Sequence, residues 1–258
     1  MALAEYEIKD KVAIVTINNP PMNALDVATK LAIEKVFIEL DGIRDQMRAV
    51  VLTGGGGKAF VAGADIKAFA DLEPESAKRR LMRSHAVYSV VENFHWPVIA
   101  AIHGFCFGGG LELALCCDVR YASRDAQFGF PEVKLSIFPG NGGTARARYF
   151  LGLGRFKEMV YSGETINAEQ ALQYGLVEKV TYEGQVMAAA LELAGKIAKR
   201  GPLGVAAAKK AINRNRDLPL HEGLEVESDL WAGLSVSHDM KEGATAFIEK
   251  RRPTYLGK

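Results

Sequence analysis

Residues 97–123 read PVIAAIHGFCFGGGLELALCCDVRYAS. VIAAI has the length and β-branched content of a buried strand, and Pro97 stands just ahead of it. Gly108, Gly109 and Gly110 follow and open LELALCC, a segment apolar on every side and therefore expected as a buried helix. VRYAS then returns as a strand. A strand, a glycine turn, a buried helix and another strand within 27 residues mark a mixed α/β chain.

Working outward, the same theme of apolar strand, glycine turn and helix recurs once, at 49–70, beginning with AVVLTG. Upstream, YEIKDKVAIVTI (6–17) predicts two short strands around a tight turn at Asp10–Lys11. Pro20 and Pro21 make the next segment a loop. Asp26 suits the N-cap of a helix running to about Ile43, with Leu31, Val36, Ile38, Leu40 and Ile43 as its apolar face and Phe37 beside it. A further helix is expected over roughly 74–94, starting at Pro74. Downstream, AQFGF reads as a strand, and Asn167 with Gln170 reads as a capping box. From Glu183 onward almost everything is helical, with breaks at Gly201–Pro202, Pro219 and His238. The expectation is an α/β body over 1–195 and a helical region over 196–258.

Composition narrows the function. Thirty-two basic and 31 acidic residues leave a formal charge of +1, so no global field draws the chain to nucleic acid or membrane. Cys106, Cys116 and Cys117 lack Cys-x-x-Cys spacing, which argues against a disulfide framework or a zinc site, and the vicinal pair reads as core packing. The start, MALAEYEIKD, shows no basic-then-apolar signal, and no apolar run reaches the roughly 18 residues of a membrane span. A cytoplasmic protein is expected. Gly54–Lys58 resembles a phosphate loop but has Ala59 where Ser or Thr is required. The five histidines form no metal-binding spacing, and His103, at a strand end, reads as structural.

The chemistry gathers elsewhere. Glycines at a helix start let backbone approach a ligand, and the first helical N–H groups have no internal acceptor. Glu112 lies within the apolar helix, where a carboxylate must be paired, hydrogen-bonded or protonated. It is either half of a buried ion pair, with Arg120 or Arg146, or a group of raised pKa suited to proton transfer. Glu132 follows 20 residues later in FGFPEVKL, on a different element, with its position held by Pro131. Asp65, in AFVAGADIKAF (59–69), suits an N-cap for a helix beginning at Ile66.

Taken together, AFVAGADIK (59–67), the 97–123 segment, AQFGFPEVKLSIFPGNGGTAR (126–146), GLVEKV (175–180) and AFIEKRRP (246–253) resemble the crotonase, or enoyl-CoA hydratase, family over essentially the whole chain. The resemblance implies a spiral of ββα units followed by a helical trimerisation region, assembled as a trimer or a dimer of trimers. It implies hydration of 2-enoyl-CoA in acyl-CoA catabolism such as fatty-acid β-oxidation, with no metal and no redox cofactor. Backbone N–H groups of Ala64 and Gly109 are then the oxyanion hole, and Glu112 and Glu132 the carboxylate pair. Ala24, Leu25, Ala62, Asp65, Ile66, Lys67 and Gly108 are expected along the coenzyme A thioester, with Phe247 and Lys250 reaching it from a neighbouring subunit. The family's PGAGGTQRL text is PGNGGTARA here, so Asn141, Ala145 and Ala147 differ, and Phe130 stands where many hydratases have Gln. Other family chemistries, isomerase or hydrolase, are the alternatives. RNA binding is the alternative of another class, through Lys199, Arg200, Lys209, Lys210, Arg214 and Arg216.

Overall fold

The computed structural model describes residues 2–62 and 73–258. Strands β1 (Ala4–Lys9) and β2 (Val12–Ile17) form an antiparallel hairpin. Its two turn residues, Asp10 and Lys11, have φ of 50° and 62°, the backbone whose twist matches that of a hairpin. Helix α1 (Val27–Gly42) starts where the Asp26 carboxylate accepts the Thr29 N–H at 2.7 Å. Its core face is Ile33, Val36, Phe37 and Leu40, which follow the helical period. Leu31 and Ile38 are instead 41% and 58% exposed, a correction to the expected face. They lie seven residues apart on the opposite side of the helix, so apolar character alone misplaced them.

Three ββα units follow. They are β3 (Ala49–Gly54), β4 (Ala59–Ala62) and α2 (Pro74–Glu92); β5 (Val98–Ile102), β6 (Phe105–Phe107) and α3 (Gly109–Ala114); and β7 (Val119–Ser123) and β8 (Gln127–Gly129) with the short α4 (Gly143–Arg146) and α5 (Leu153–Ser162). The first strand of each unit joins one parallel array, β2-β3-β5-β7, and the second joins another, β4-β6-β8. Each unit thus adds one strand to each sheet, which is the spiral implied by the family resemblance. β9 (Thr165–Asn167) closes the smaller sheet antiparallel to β8. α6 (Ala168–Tyr174), opened by the Asn167–Gln170 capping box, leads to β10 (Lys179–Thr181) at the edge of the larger one.

Both faces of the larger sheet are covered, so its strands read as continuous apolar runs. Val50, Leu52, Val98, Ala100 and Ile102 enter the main core. Val51, Ile99 and Ala101 pack against Val186, Ala190 and Ala194 of α7 (Val186–Ala198). Helices α8 (Pro202–Asn215), α9 (Leu220–Ser235) and α10 (His238–Ile248) complete the chain. Buried Lys209 ties α8 to the sheet, donating to the Trp96 carbonyl at 3.1 Å and to Asp118 at 2.7 Å. Arg216 pairs with Glu92 at 3.0 Å. Two of the six cations expected in a basic patch therefore serve the fold, because each has an acidic partner from another element.

Candidate active site

The chain reverses direction at Gly108, whose φ of 52° and ψ of −122° are unfavourable for a residue with a Cβ. A Cβ at Gly108 would meet Glu132 Oε1 at 2.7 Å, so the Glu132 carboxyl lies against this turn. A Cβ at Gly110 would lie 2.2 Å from the Val61 carbonyl oxygen. Helix α3 thereby lies against β4, whose last residue is Ala62. Gly109 is the first residue of α3, and among the described residues its N–H has no acceptor. Its carbonyl accepts the Tyr88 hydroxyl at 2.9 Å. Around the space a Gly109 side chain would fill stand Tyr88 Oη at 3.3 Å, Asn141 Nδ2 at 3.8 Å and Leu25 Cδ1 at 3.8 Å.

Glu112 is one turn along the same face and fully buried. Its Oε1 accepts the Gly143 N–H at 2.8 Å, and its Oε2 accepts from Asn141 Nδ2 at 2.8 Å. Neither arginine considered as its partner bonds it. Arg120 donates to the Leu176 and Cys117 carbonyls and to Glu178, and Arg146 pairs with Glu92 at 2.7 Å. Burial raises the Glu112 pKa, and the amide donors from Asn141 and Gly143 pull it part of the way back.

Glu132 sits in a short 3-10 helix, Pro131–Leu135, with Pro131 in its first position. The preceding Phe130 is fully buried and stands edge-on to Phe156, with ring centroids 5.7 Å apart, which anchors the turn. Glu132 Oε2 is buried and has no hydrogen-bond partner among the described residues. Burial first, and the charge of Glu112 second, push the Glu132 pKa up to about 7. The buried Tyr88 hydroxyl is raised by the same two carboxylates after burial itself. Two carboxyls that feel each other in a buried site titrate as a pair, the charge of one making the other harder to ionise. Such a pair can take a proton from one atom and give one to another.

The profile of the enoyl-CoA hydratase/isomerase family matches residues 7–258. This chain belongs to that family. A short-chain-enoyl-CoA hydratase of Clostridium acetobutylicum is 40% identical over 247 residues, covering 95% of this chain and 94% of the relative. A crotonyl-CoA hydratase of Syntrophomonas wolfei is 38% identical, covering 98% of this chain and 97% of the relative. The crystal structure of an enoyl-CoA hydratase from Bacillus anthracis superposes with a TM-score of 0.94 at 38% identity, over 99% of this chain and 100% of that one.

The remaining positions named from the enoyl-CoA hydratase resemblance are distributed as follows. Ala24 and Leu25 sit in a loop clamped by Asn23, whose side chain donates to the Gly55 and Ala59 carbonyls at 2.9 and 2.8 Å. Asn19 Nδ2 holds the Ala24 carbonyl at 2.8 Å, and the Ala62 N–H reaches the Met22 carbonyl at 2.9 Å. Leu25, Ala62, Gly108, Gly109, Glu112 and Glu132 are thus drawn together by α3 and its neighbours. Ala64, Asp65, Ile66 and Lys67 lie outside the described residues. Phe247, 85% exposed, lies in the last turn of α10, and Lys250 follows two residues after its end. Among the described residues no hydrogen bond or ion pair joins either to the carboxylate pair.

Three contributors escaped sequence reading. Tyr88 carried a usable signal, since it falls one helical turn from Ser84 on the buried side of α2. Lys30, buried and donating to Ser84 Oγ at 2.8 Å, has its pKa lowered to about 8 by burial and then by Arg80. Asn141 was visible as a departure from the family text but not as a partner of Glu112. Among the described residues no three His, Cys, Asp or Glu side chains are grouped to hold a metal ion.

Proposed function

We propose that this chain is an enoyl-CoA hydratase, a hydro-lyase that reversibly adds water across the double bond of a 2-trans-enoyl-CoA to give the 3-hydroxyacyl-CoA. The observation that carries the reading is the Glu112–Glu132 pair beside the N–H of Gly109, which has no acceptor among the described residues, in a chain similar throughout to a short-chain hydratase. In this reading the thioester oxygen receives the N–H of Gly109 and that of Ala64. Water attacks Cβ and loses a proton to ionised Glu112. The electron pair of the double bond passes toward the thioester, and Cα takes the proton of Glu132. One water is consumed, both its hydrogens are accounted for, and the pair ends with its proton on Glu112 instead of Glu132. Each amide donor to the developing oxyanion contributes about 2.7–4 kcal/mol, by analogy with acyl-transfer sites.

The catalytic set is therefore Glu112, Glu132, Ala64 and Gly109, acting without metal or redox cofactor. Ala24, Leu25, Ala62, Asp65, Ile66, Lys67 and Gly108 line the acyl-CoA. Phe247 and Lys250 reach it from a second copy in a homo-oligomer, a trimer or dimer of trimers. Exposed apolar side chains on the tail, among them Ile212, Leu220, Trp231 and Ile248, support that assembly. We place the enzyme in the cytoplasm, in acyl-CoA catabolism such as fatty-acid β-oxidation. Among the described residues no helix is long and apolar enough to cross a membrane.

The test is a turnover screen over 2-enoyl-CoA esters of different chain length and ring content, following loss of the conjugated thioester absorbance. At least one ester should be hydrated, and Glu112→Gln should abolish this while still binding a saturated acyl-CoA. A product with the double bond moved, or a thioester cleaved, in place of a 3-hydroxyacyl-CoA would sink the reading.

A further inference from the structure

The two carboxyls of the pair are provisioned unequally. Glu112 Oε1 is held by the main-chain N–H of Gly143, where a Cβ would come within 2.9 Å of that same oxygen and of Pro139 Cβ, so the donor depends on glycine there. Glu112 Oε2 is held by the side chain of Asn141, at 2.8 Å, a donor that alanine in the family text cannot supply. Glu132 Oε2 is buried with no donor among the described residues, and Glu132 Oε1 faces the Gly108 turn. N–H donors bind an ionised carboxylate more strongly than a protonated one. Of two acids that share one proton, the one with two amide donors gives it up and the one with a bare buried oxygen retains it.

We propose that Asn141 is a positioning residue that decides which carboxyl carries the shared proton: by donating to Glu112 Oε2 it keeps Glu112 ionised, fixes its plane, and leaves the proton on Glu132. The inference rests on the hydratase reading and deepens it, because hydration needs that microstate and not its mirror image. Asn141 also stands 3.8 Å from the position a Gly109 Cβ would take, so it borders the thioester site without being one of the groups that exchange protons with the substrate. Its sequence neighbourhood explains its placement. Gly142 turns the chain at φ 106°, and the Arg146 guanidinium lies where a Cβ on Gly142 would be. This locks the loop that carries Asn141 over Glu112.

The experiment uses the full-length enzyme with a 2-enoyl-CoA that the wild type hydrates, comparing Asn141→Ala and the near-isosteric Asn141→Asp. A hydrogen bond to a charged group is lost, so kcat of Asn141→Ala at neutral pH should fall roughly tenfold to a hundredfold. KM should change little. The acidic limb of the pH–kcat profile should move to higher pH, because Glu112 now protonates more readily. Asn141→Asp keeps the size and loses the donor, so it should lose at least as much activity above neutral pH; it decides the matter if the alanine variant fails to fold. If the wild type is active and Glu112→Gln is inactive, yet both Asn141 variants keep the acidic limb in place, the role of Asn141 is overturned and the hydratase reading stands. If the wild type hydrates no enoyl-CoA, the reading and this inference fall together.

Discussion

Replacing Glu132 with Gln should abolish turnover and, at alkaline pH, stabilise the protein. Folding raises the Glu132 pKa from an ordinary 4.5 to about 7, chiefly by burial. Between those values the folded chain binds more protons than the unfolded one, so wild-type stability falls as pH rises through the interval. Above it the ionised side chain costs about 3 kcal/mol, at about 1.4 kcal/mol for each tenfold change in proton affinity. Gln has the shape of the protonated acid and never ionises. Near pH 4.5 the two proteins should unfold alike, and near pH 8 the variant should be the more stable by about 3 kcal/mol. For a chain of this size that is a melting temperature higher by roughly 6–12 °C. Thermal unfolding by circular dichroism, at one protein concentration and several pH values, reads this directly. A difference that does not change with pH, or a variant less stable at pH 8, would refute the idea that Glu132 is held protonated by its burial.

Other consequences can be checked in parallel. Gly108→Ala places a methyl group 2.7 Å from Glu132 Oε1 on a backbone at φ 52°, so turnover should drop through displacement of Glu132; unchanged kinetics would contradict the placement of that carboxyl. The hydration rate should decline as pH rises through about 7, where Glu132 loses the proton it delivers to Cα, and a profile flat to pH 9 would count against its role as the acid. Sedimentation at working concentration should return three or six copies, whereas a monomer would remove the cross-subunit role of Phe247 and Lys250.

Much of the architecture was legible because it is written in local chemistry. Asp26, the Asn167–Gln170 box, the Asp10–Lys11 turn and the buried runs AVVLTG and VIAAI each specify their own element within a few residues. The face of α1 was misread at Leu31 and Ile38 because apolar residues were gathered without respecting the 3.6-residue period. The site was half legible. A lone carboxylate in an apolar helix announces burial, but not what satisfies it. Asn141, 29 residues away, and the main chain of Gly143 do so for Glu112, while the arginines that seemed available are committed to Glu178 and Glu92. Lys209 and Arg216 read as members of a basic patch for the same reason, their acidic partners being remote in sequence.

If Glu112 and Glu132 share one proton and act as a unit, removing either destroys the same function. The kcat of Glu112→Gln, of Glu132→Gln and of the double variant, measured with one enoyl-CoA, tests this most directly. The double variant should be scarcely worse than either single one, as for other catalytic groups that work together. Losses that multiply would show two independent contributions and contradict the shared-proton mechanism.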